Sequence, residues 1–216
     1  MPLVILVFSS IGWNMAKSPF KIWLLICLLF VSQEQAYGEA LSASATVKSS
    51  NETILALYRS SPKTDDKVLR EIFAVMDRVT DYQAMAASAL QQVCPGKDET
   101  LCAQIRSEFI ETLKLSATVK LGRYRADRFD YGAEEQRGKK ALVKTIAYYK
   151  EDSVQLEYIL EKRDGTWRIV NYLVDEVDTI RNYQRQFKRI IEKESLAGLL
   201  ARLQKKNEQY RQERRE

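Results

Sequence analysis

The chain has 216 residues, with 34 Lys and Arg against 29 Asp and Glu, a formal net charge of +5, and no histidine. The missing histidine removes the commonest general base and the commonest metal ligand together, so Ser-His-Asp and Cys-His nucleophilic sites are excluded and a zinc site would rest on carboxylates and cysteines alone. The positive balance is modest and most bases are interleaved with acids, the pattern of a solvated helix face and not of a nucleic-acid binder.

At the N-terminus Lys17 and Lys21 precede an apolar run from Ile22 to Val31. Ser32-Gln33-Glu34-Gln35 follows, then small-residue sites at Ala36-Tyr37-Gly38 and Gly38-Glu39-Ala40. This order predicts a secretory signal over residues 1–40, cleaved on export. The run is shorter than the roughly 20 apolar residues of a spanning helix. Leu3 to Phe8 form a second apolar stretch with no positive side chain, so Met15 heads the better-formed signal and is the expected start. An uncleaved anchor using both stretches is the alternative, but Asn14, Lys17, Ser18, Pro19 and Lys21 interrupt it. Cys27 follows Ile26, where lipoprotein processing wants a small side chain. One domain over 41–206 and a charged tail over 207–216 remain, enough chain for a sizeable core.

Ala40 to Ser50 reads as a loose leader. Asn51 caps a short helix to Arg59, which the Ser60-Ser61-Pro62-Lys63 break ends. Thr64 or Asp65 opens a longer helix with Val68, Ile72, Val75, Met76 and Val79 on one face. Thr80 or Asp81 caps the next, aligning Tyr82, Met85, Ala86, Ala89, Leu90 and Val93, where the alanines allow close approach by a neighbour or leave room for a ligand. Cys94 and Cys102 flank a Pro95-Gly96 turn. In an oxidising compartment this pair reads as a disulfide stapling two helices. A redox-active pair and two free thiols are the alternatives, though the spacing is not C-x-x-C. Asp98 caps a fourth helix with Leu101, Ile105, Phe109, Leu113 and Ala117 in step.

From Tyr124 the period becomes alternating, with strands expected near 124–131, 140–149, 153–162 and 166–175, a loop over Gly132 to Gly138, and an Asp164-Gly165 hairpin turn. Helices return over Thr179 to Lys193 and from Ser195 to about Gln209, and the last ten residues are expected to fray. Helices, antiparallel strands, then helices predict an α+β domain. Two strands look apolar on both faces: Leu142, Ile146 and Tyr148 against Val143, Ala147 and Tyr149, and Trp167, Ile169 and Leu173 against Val170, Tyr172 and Val174. A sheet with one wet face should alternate cleanly. Either it curls around helices, or a cavity lies between sheet and helices.

The C-terminal third carries Trp167, Ile169, Val170, Val177, Ile180, Asn182, Tyr183, Gln186 and Phe187 in order, then Leu199-Leu200. Tyr82-Gln83-Ala84-Met85-Ala86 and the Phe109 helix fit more loosely. This sequence resembles the MlaC-like family of periplasmic phospholipid carriers of the toluene-tolerance type. The likeness runs over roughly residues 50–206, with the last 40 the most specific. The chain departs from that pattern in having Asn171 where the family usually has Asp. Its Asp175-Glu176-Val177-Asp178 corner stands where the family has acid-Gly-Val-Ser. A tryptophan common after the third helix is missing, replaced by the Cys94–Cys102 insertion.

The resemblance implies a nuclear transport factor 2-like cone: a curved antiparallel sheet of about four strands packed against N- and C-terminal helices, holding phospholipid acyl chains. It also implies periplasmic localisation and no cofactor, metal or catalytic group. The implied partners are an inner-membrane lipid ABC transporter complex and an outer-membrane lipoprotein complex, with transient membrane proximity and no nucleic acid. Candidate lipid-contacting residues are Met85, Phe109, Leu113, Val143, Val170, Tyr172, Val174, Val177, Ile180 and Tyr183, each also an ordinary core residue type. Arg181, Arg185 and Lys188 are candidates for the rim. Two other functions compete. An enzyme would have to pair a tyrosine with one of Asp130, Glu157, Asp175, Glu176 or Asp178, and fold alone does not decide that. An envelope adaptor with a dry core would bind through Arg202, Lys205, Lys206, Arg211, Arg214 and Arg215. A carrier of another hydrophobic molecule, such as a hopanoid, is a variant of the first reading.

Overall fold

The computed structural model describes residues 41–61, 65–123 and 125–213, the side chains of 122 and 123 apart. Residues 1–40, where a signal segment is expected and where Met15 and Cys27 fall, lie outside them, as do Pro62 to Thr64, Tyr124 and the last three residues.

The first helix, α1 (Ala43–Ser60), corrects the expected leader. It is opened by Ser42, whose Oγ accepts the Ala45 N–H at 3.0 Å, and the Glu134 carboxylate accepts the Ser44 N–H at 2.8 Å. Two donors left over at a helix start are thereby satisfied. The helical face was disguised by its small and polar members: Ala43, Val47, Ser50, Asn51, Ile54 and Tyr58 are all buried at i, i+3 and i+4 spacing. Helix α2 (Asp66–Val79) is capped by Asp65 and buries Val68, Leu69, Ile72 and Val75, and α3 (Tyr82–Leu90) is capped by Asp81. The Cys94–Cys102 disulfide forms, with 5.9 Å between the Cα atoms. Asp98 accepts the Leu101 N–H at 2.8 Å where α4 (Glu99–Arg123) begins.

Five antiparallel strands then follow in chain order: β1 (Arg128–Arg137), β2 (Lys140–Tyr149), β3 (Asp152–Arg163), β4 (Thr166–Val174) and the two-residue β5 (Val177–Asp178). The architecture is α+β. The loop expected over 132–138 is mostly strand, because β1 continues through a bulge between Tyr131 and Glu134. That extra residue puts Glu134 opposite Val143, on the face that meets α1, where it serves as the cap described above.

A second bulge explains the apparent two-faced β4. Ile159 pairs with Asn171 but Leu160 pairs with Ile169, leaving Val170 extra. A one-residue insertion moves every later side chain to the other face. Trp167 and Ile169 before the bulge therefore share a face with Tyr172 and Val174 after it, together with Leu160, Tyr158 and Leu156 of β3. The strand has one apolar face, not two. In β2 the buried face is Ala141, Val143, Thr145 and Ala147, while Leu142 and Ile146 are half-buried on the other.

Helix α5 (Thr179–Lys193) starts at Asp178, and α6 (Leu196–Glu213) runs beyond the expected end. The charged tail does not fray at 207, because Asn207 is fully buried against α4. Its Oδ1 accepts the Thr112 hydroxyl at 2.7 Å, and its Nδ2 donates to the Glu108 carbonyl at 3.0 Å and carboxylate at 2.7 Å. Three apolar clusters result. One joins α3, α4, α5 and α6, one seats α1 on the inner face of the sheet, and one joins α1 to α2.

Candidate functional site

Where α4, the end of β4, β5, α5 and α6 converge, they leave a cleft of about 550 Å³. This lies within the roughly 300–1,000 Å³ of small-molecule sites. Its floor is apolar: Phe187, Leu199 and Leu203 belong to the main cluster and lie buried at the base of the cleft. Tyr172 and Val174 from β4, Val177 from β5 and Tyr183 from α5 form the walls. Val177 is 52% exposed, one of two large apolar side chains standing in solvent among the described residues.

The ten candidate residues separate into groups. Tyr172, Val174, Val177 and Tyr183 line the cleft. Met85, Phe109, Leu113 and Ile180 lie in the cluster to which the floor belongs. Phe109 links floor and wall, its ring meeting Tyr183 edge-on at 4.8 Å and Phe187 at 4.9 Å. Val143 belongs to the cluster between α1 and the sheet, and Val170 is the bulge residue; neither lines the cleft. Sequence reasoning missed Ile190, Leu199, Leu203 and Tyr210 as walls. The signal was present in the period, since Leu199, Leu203 and Tyr210 recur on one face of α6; the first two fell in the expected helix, and Tyr210 fell in the charged tail expected to fray.

The polar groups of the cleft are hydroxyls, amides and cations. Thr112 and Ser116 come from α4, and Thr179, Asn182 and Gln186 from α5. Burial pushes the Tyr183 phenol well above the ordinary tyrosine range, and Tyr172 and Tyr210 push it the same way while a hydrogen bond with Ser116 opposes them. Burial raises Tyr172 as well, against a hydrogen bond with Thr179. Both phenols are therefore neutral at physiological pH and keep an O–H to donate. Lys120, Arg202, Lys205 and Lys206 also line the cleft, and among the described residues no carboxylate or thiol does. Such an arrangement can hold an apolar ligand with an anionic end.

Elsewhere, Leu55, Tyr58, Arg125 and Tyr149 border a second hollow of about 430 Å³. The Arg125 guanidinium there donates to the carbonyls of Tyr58 and Ser61 and lies 4.9 Å from the Tyr58 ring centroid, so it acts as a clamp on the end of α1. Among the described residues no cluster of acidic or cysteine side chains is placed to hold a metal ion, and no helix is long and apolar enough to cross a membrane.

The family model described as MlaC protein matches residues 48–205. Among solved structures, the chain is similar to the phospholipid-binding protein from Ralstonia solanacearum in complex with a phospholipid. The two share a TM-score of 0.67 and 20% sequence identity, over 79% of this chain and 99% of that one. At that identity the likeness is one of fold. No curated protein matches the sequence significantly.

Proposed function

The chain belongs to the MlaC family, and from that premise we propose that it is a periplasmic phospholipid carrier, exported by its cleaved N-terminal signal. It encloses acyl chains and passes lipid between an inner-membrane ABC transporter complex and an outer-membrane lipoprotein complex, with no covalent chemistry. The observation that carries the reading is the apolar wall of the cleft, where exposed Val177 and half-buried Tyr172, Val174 and Tyr183 stand over the buried Phe187, Leu199 and Leu203, beside a basic lip. The similar fold of a protein seen with a phospholipid supports it. Each acyl CH₂ taken out of water stabilises binding by about 0.8 kcal/mol, so a 16-carbon tail left in water costs on the order of 12 kcal/mol. A carrier must cover the tails and can leave the headgroup wet. The walls and floor of this cleft suit the first need, and its hydroxyls, amides and cations suit the second.

In this account Tyr172, Val174, Val177 and Tyr183 are the first side chains the tails meet. Met85, Phe109, Leu113 and Ile180 form the deeper wall that an inserted chain would press against. A phospholipid with a photoactivatable group at the end of one acyl chain tests the placement. It is expected to label peptides carrying Tyr183 to Phe187 and Leu199 to Leu203. Labelling confined to surfaces away from the cleft would overturn the assignment.

A further inference from the structure

The four cations of the cleft are not equivalent. The Arg202 Nε lies 2.9 and 3.0 Å from the two carboxylate oxygens of Glu194, so that charge is already answered. Lys120 of α4 and Lys205 and Lys206 of α6 make no ion pair among the described residues, and all three are exposed. The Lys206 ammonium lies 4.8 Å from the ring centroid of Tyr210, itself a wall of the cleft, which orients it along that wall. The acids that flank Val177 in sequence are not lining residues. Asp178 Oδ1 accepts the Arg181 N–H and the Asn171 amide, each at 2.8–2.9 Å. Asp175 Oδ1 accepts the Gln155 N–H at 3.0 Å. Glu176 is the exposed tip of the turn between β4 and β5 and is not part of the lining.

A ligand in this cleft thus meets three ammonium groups and neutral hydroxyl donors, with no carboxylate among the described lining residues. A phosphodiester suits that field. A headgroup that also carries an ammonium brings a like charge toward the lysines and finds no anion among the described lining residues to receive it. We infer that the lip of Lys120, Lys205 and Lys206 recognises the lipid phosphodiester and selects headgroups of net negative charge over zwitterionic ones with the same tails. The inference rests on the carrier reading above and gives it a substrate class.

The test is competitive loading of the purified protein from mixed vesicles containing phosphatidylglycerol, phosphatidylethanolamine and diacylglycerol with identical acyl chains, read by native mass spectrometry. Mixing all three in one vesicle gives every lipid the same surface potential. Exposed charge pairs contribute modestly, roughly two- to fivefold in affinity each, so phosphatidylglycerol is expected to lead phosphatidylethanolamine by about tenfold at low salt, with diacylglycerol last. That lead should shrink as salt is raised. It should flatten in the triple variant Lys120→Gln, Lys205→Gln, Lys206→Gln and persist in Lys67→Gln, an exposed position outside the cleft. If the triple variant loses its thermal transition, the three single substitutions carry the test, each flattening the ranking in part.

Loading of the wild type in vesicle proportion overturns the headgroup inference and leaves the carrier standing, whereas no loading of any lipid overturns the carrier reading itself. Inorganic phosphate alone is expected to leave the lysine side-chain NMR signals unmoved. Shifts with phosphate alone would assign a free-anion site and overturn the lipid source.

Discussion

At the scale of single residues, Asn171 and Asp178 hold the corner between β4 and α5 together. The Asn171 Nδ2 donates to Asp178 Oδ1 at 2.9 Å. Asn171 Oδ1 accepts the N–H groups of Tyr172 and Ile180, and Asp178 still caps α5 through the Arg181 N–H. Asn171→Asp alone should therefore set two carboxylates together and cost about 1–3 kcal/mol. Adding Asp178→Ser should recover most of that, because a hydroxyl restores the donor and still caps the helix. Urea melts of the double-mutant cycle decide it, and strict additivity of the two losses would count against the pairing. Glu176, at the tip of the same corner, has φ +64°. Left-handed backbone there is strained for an L side chain. Glu176→Gly is expected to raise stability by about 0.5–1 kcal/mol even after the added unfolded-state entropy, and a lower midpoint in the same melts would contradict this.

At the scale of elements, the helices with conventional caps and strong periods were legible: α2, α3, α4 and α5 lie where Asp65, Asp81, Asp98 and the Thr179 run put them. The Asp164-Gly165 hairpin was legible for the same reason, both residues having positive φ. What could not be read were the places where alternation breaks. A bulge leaves no residue-type signature of its own, so β4 looked apolar on two faces when Val170 had only moved the register. The start of α1 hid because its buried face uses Ala, Thr, Ser and Asn beside a single Val. The end of α6 hid because one buried Asn, held by Thr112 and Glu108, anchors a charged helix. In the candidate site, the walls on β4, β5 and the start of α5 were legible from apolar type, but the lysine lip needed the docking of α6 on α4.

The disulfide joins the end of α3 to the start of α4, both in the cluster that backs the cleft. Replacing both cysteines by serine is expected to cost about 2–3 kcal/mol for so short a loop, seen as a lower thermal midpoint. A midpoint unchanged by the double substitution and by reducing agent would show that packing alone holds the helix pair.

At the scale of the whole domain, several buried phenols connect its stability to alkaline pH. Burial raises Tyr58 to about 12 from the ordinary 10.0, against an opposing effect of Arg125. Tyr158 is likewise raised by burial to about 12, with hydrogen bonds to Asn51 and Thr145 opposing. In each case the folded chain holds the proton more tightly than the unfolded chain. The associated stability is therefore complete below pH 10 and is lost as pH rises from about 10 toward 12. Denaturant midpoints should be flat through neutral pH on this account and fall steeply above pH 10, with the phenolate absorbance of the buried tyrosines appearing alongside unfolding. Ionisation of Tyr58 or Tyr158 themselves at pH 10, followed by ring NMR signals in a chain that stays folded, would contradict it.

The central claim, a chain that carries phospholipid in a cleft between its C-terminal helices and the end of its sheet, is tested most directly by what the protein holds when purified. Residues 41–216, produced with export to the periplasm and examined intact by native mass spectrometry beside an organic extract, should carry one phospholipid per chain. An empty protein that stays empty after incubation with phospholipid vesicles would contradict the account.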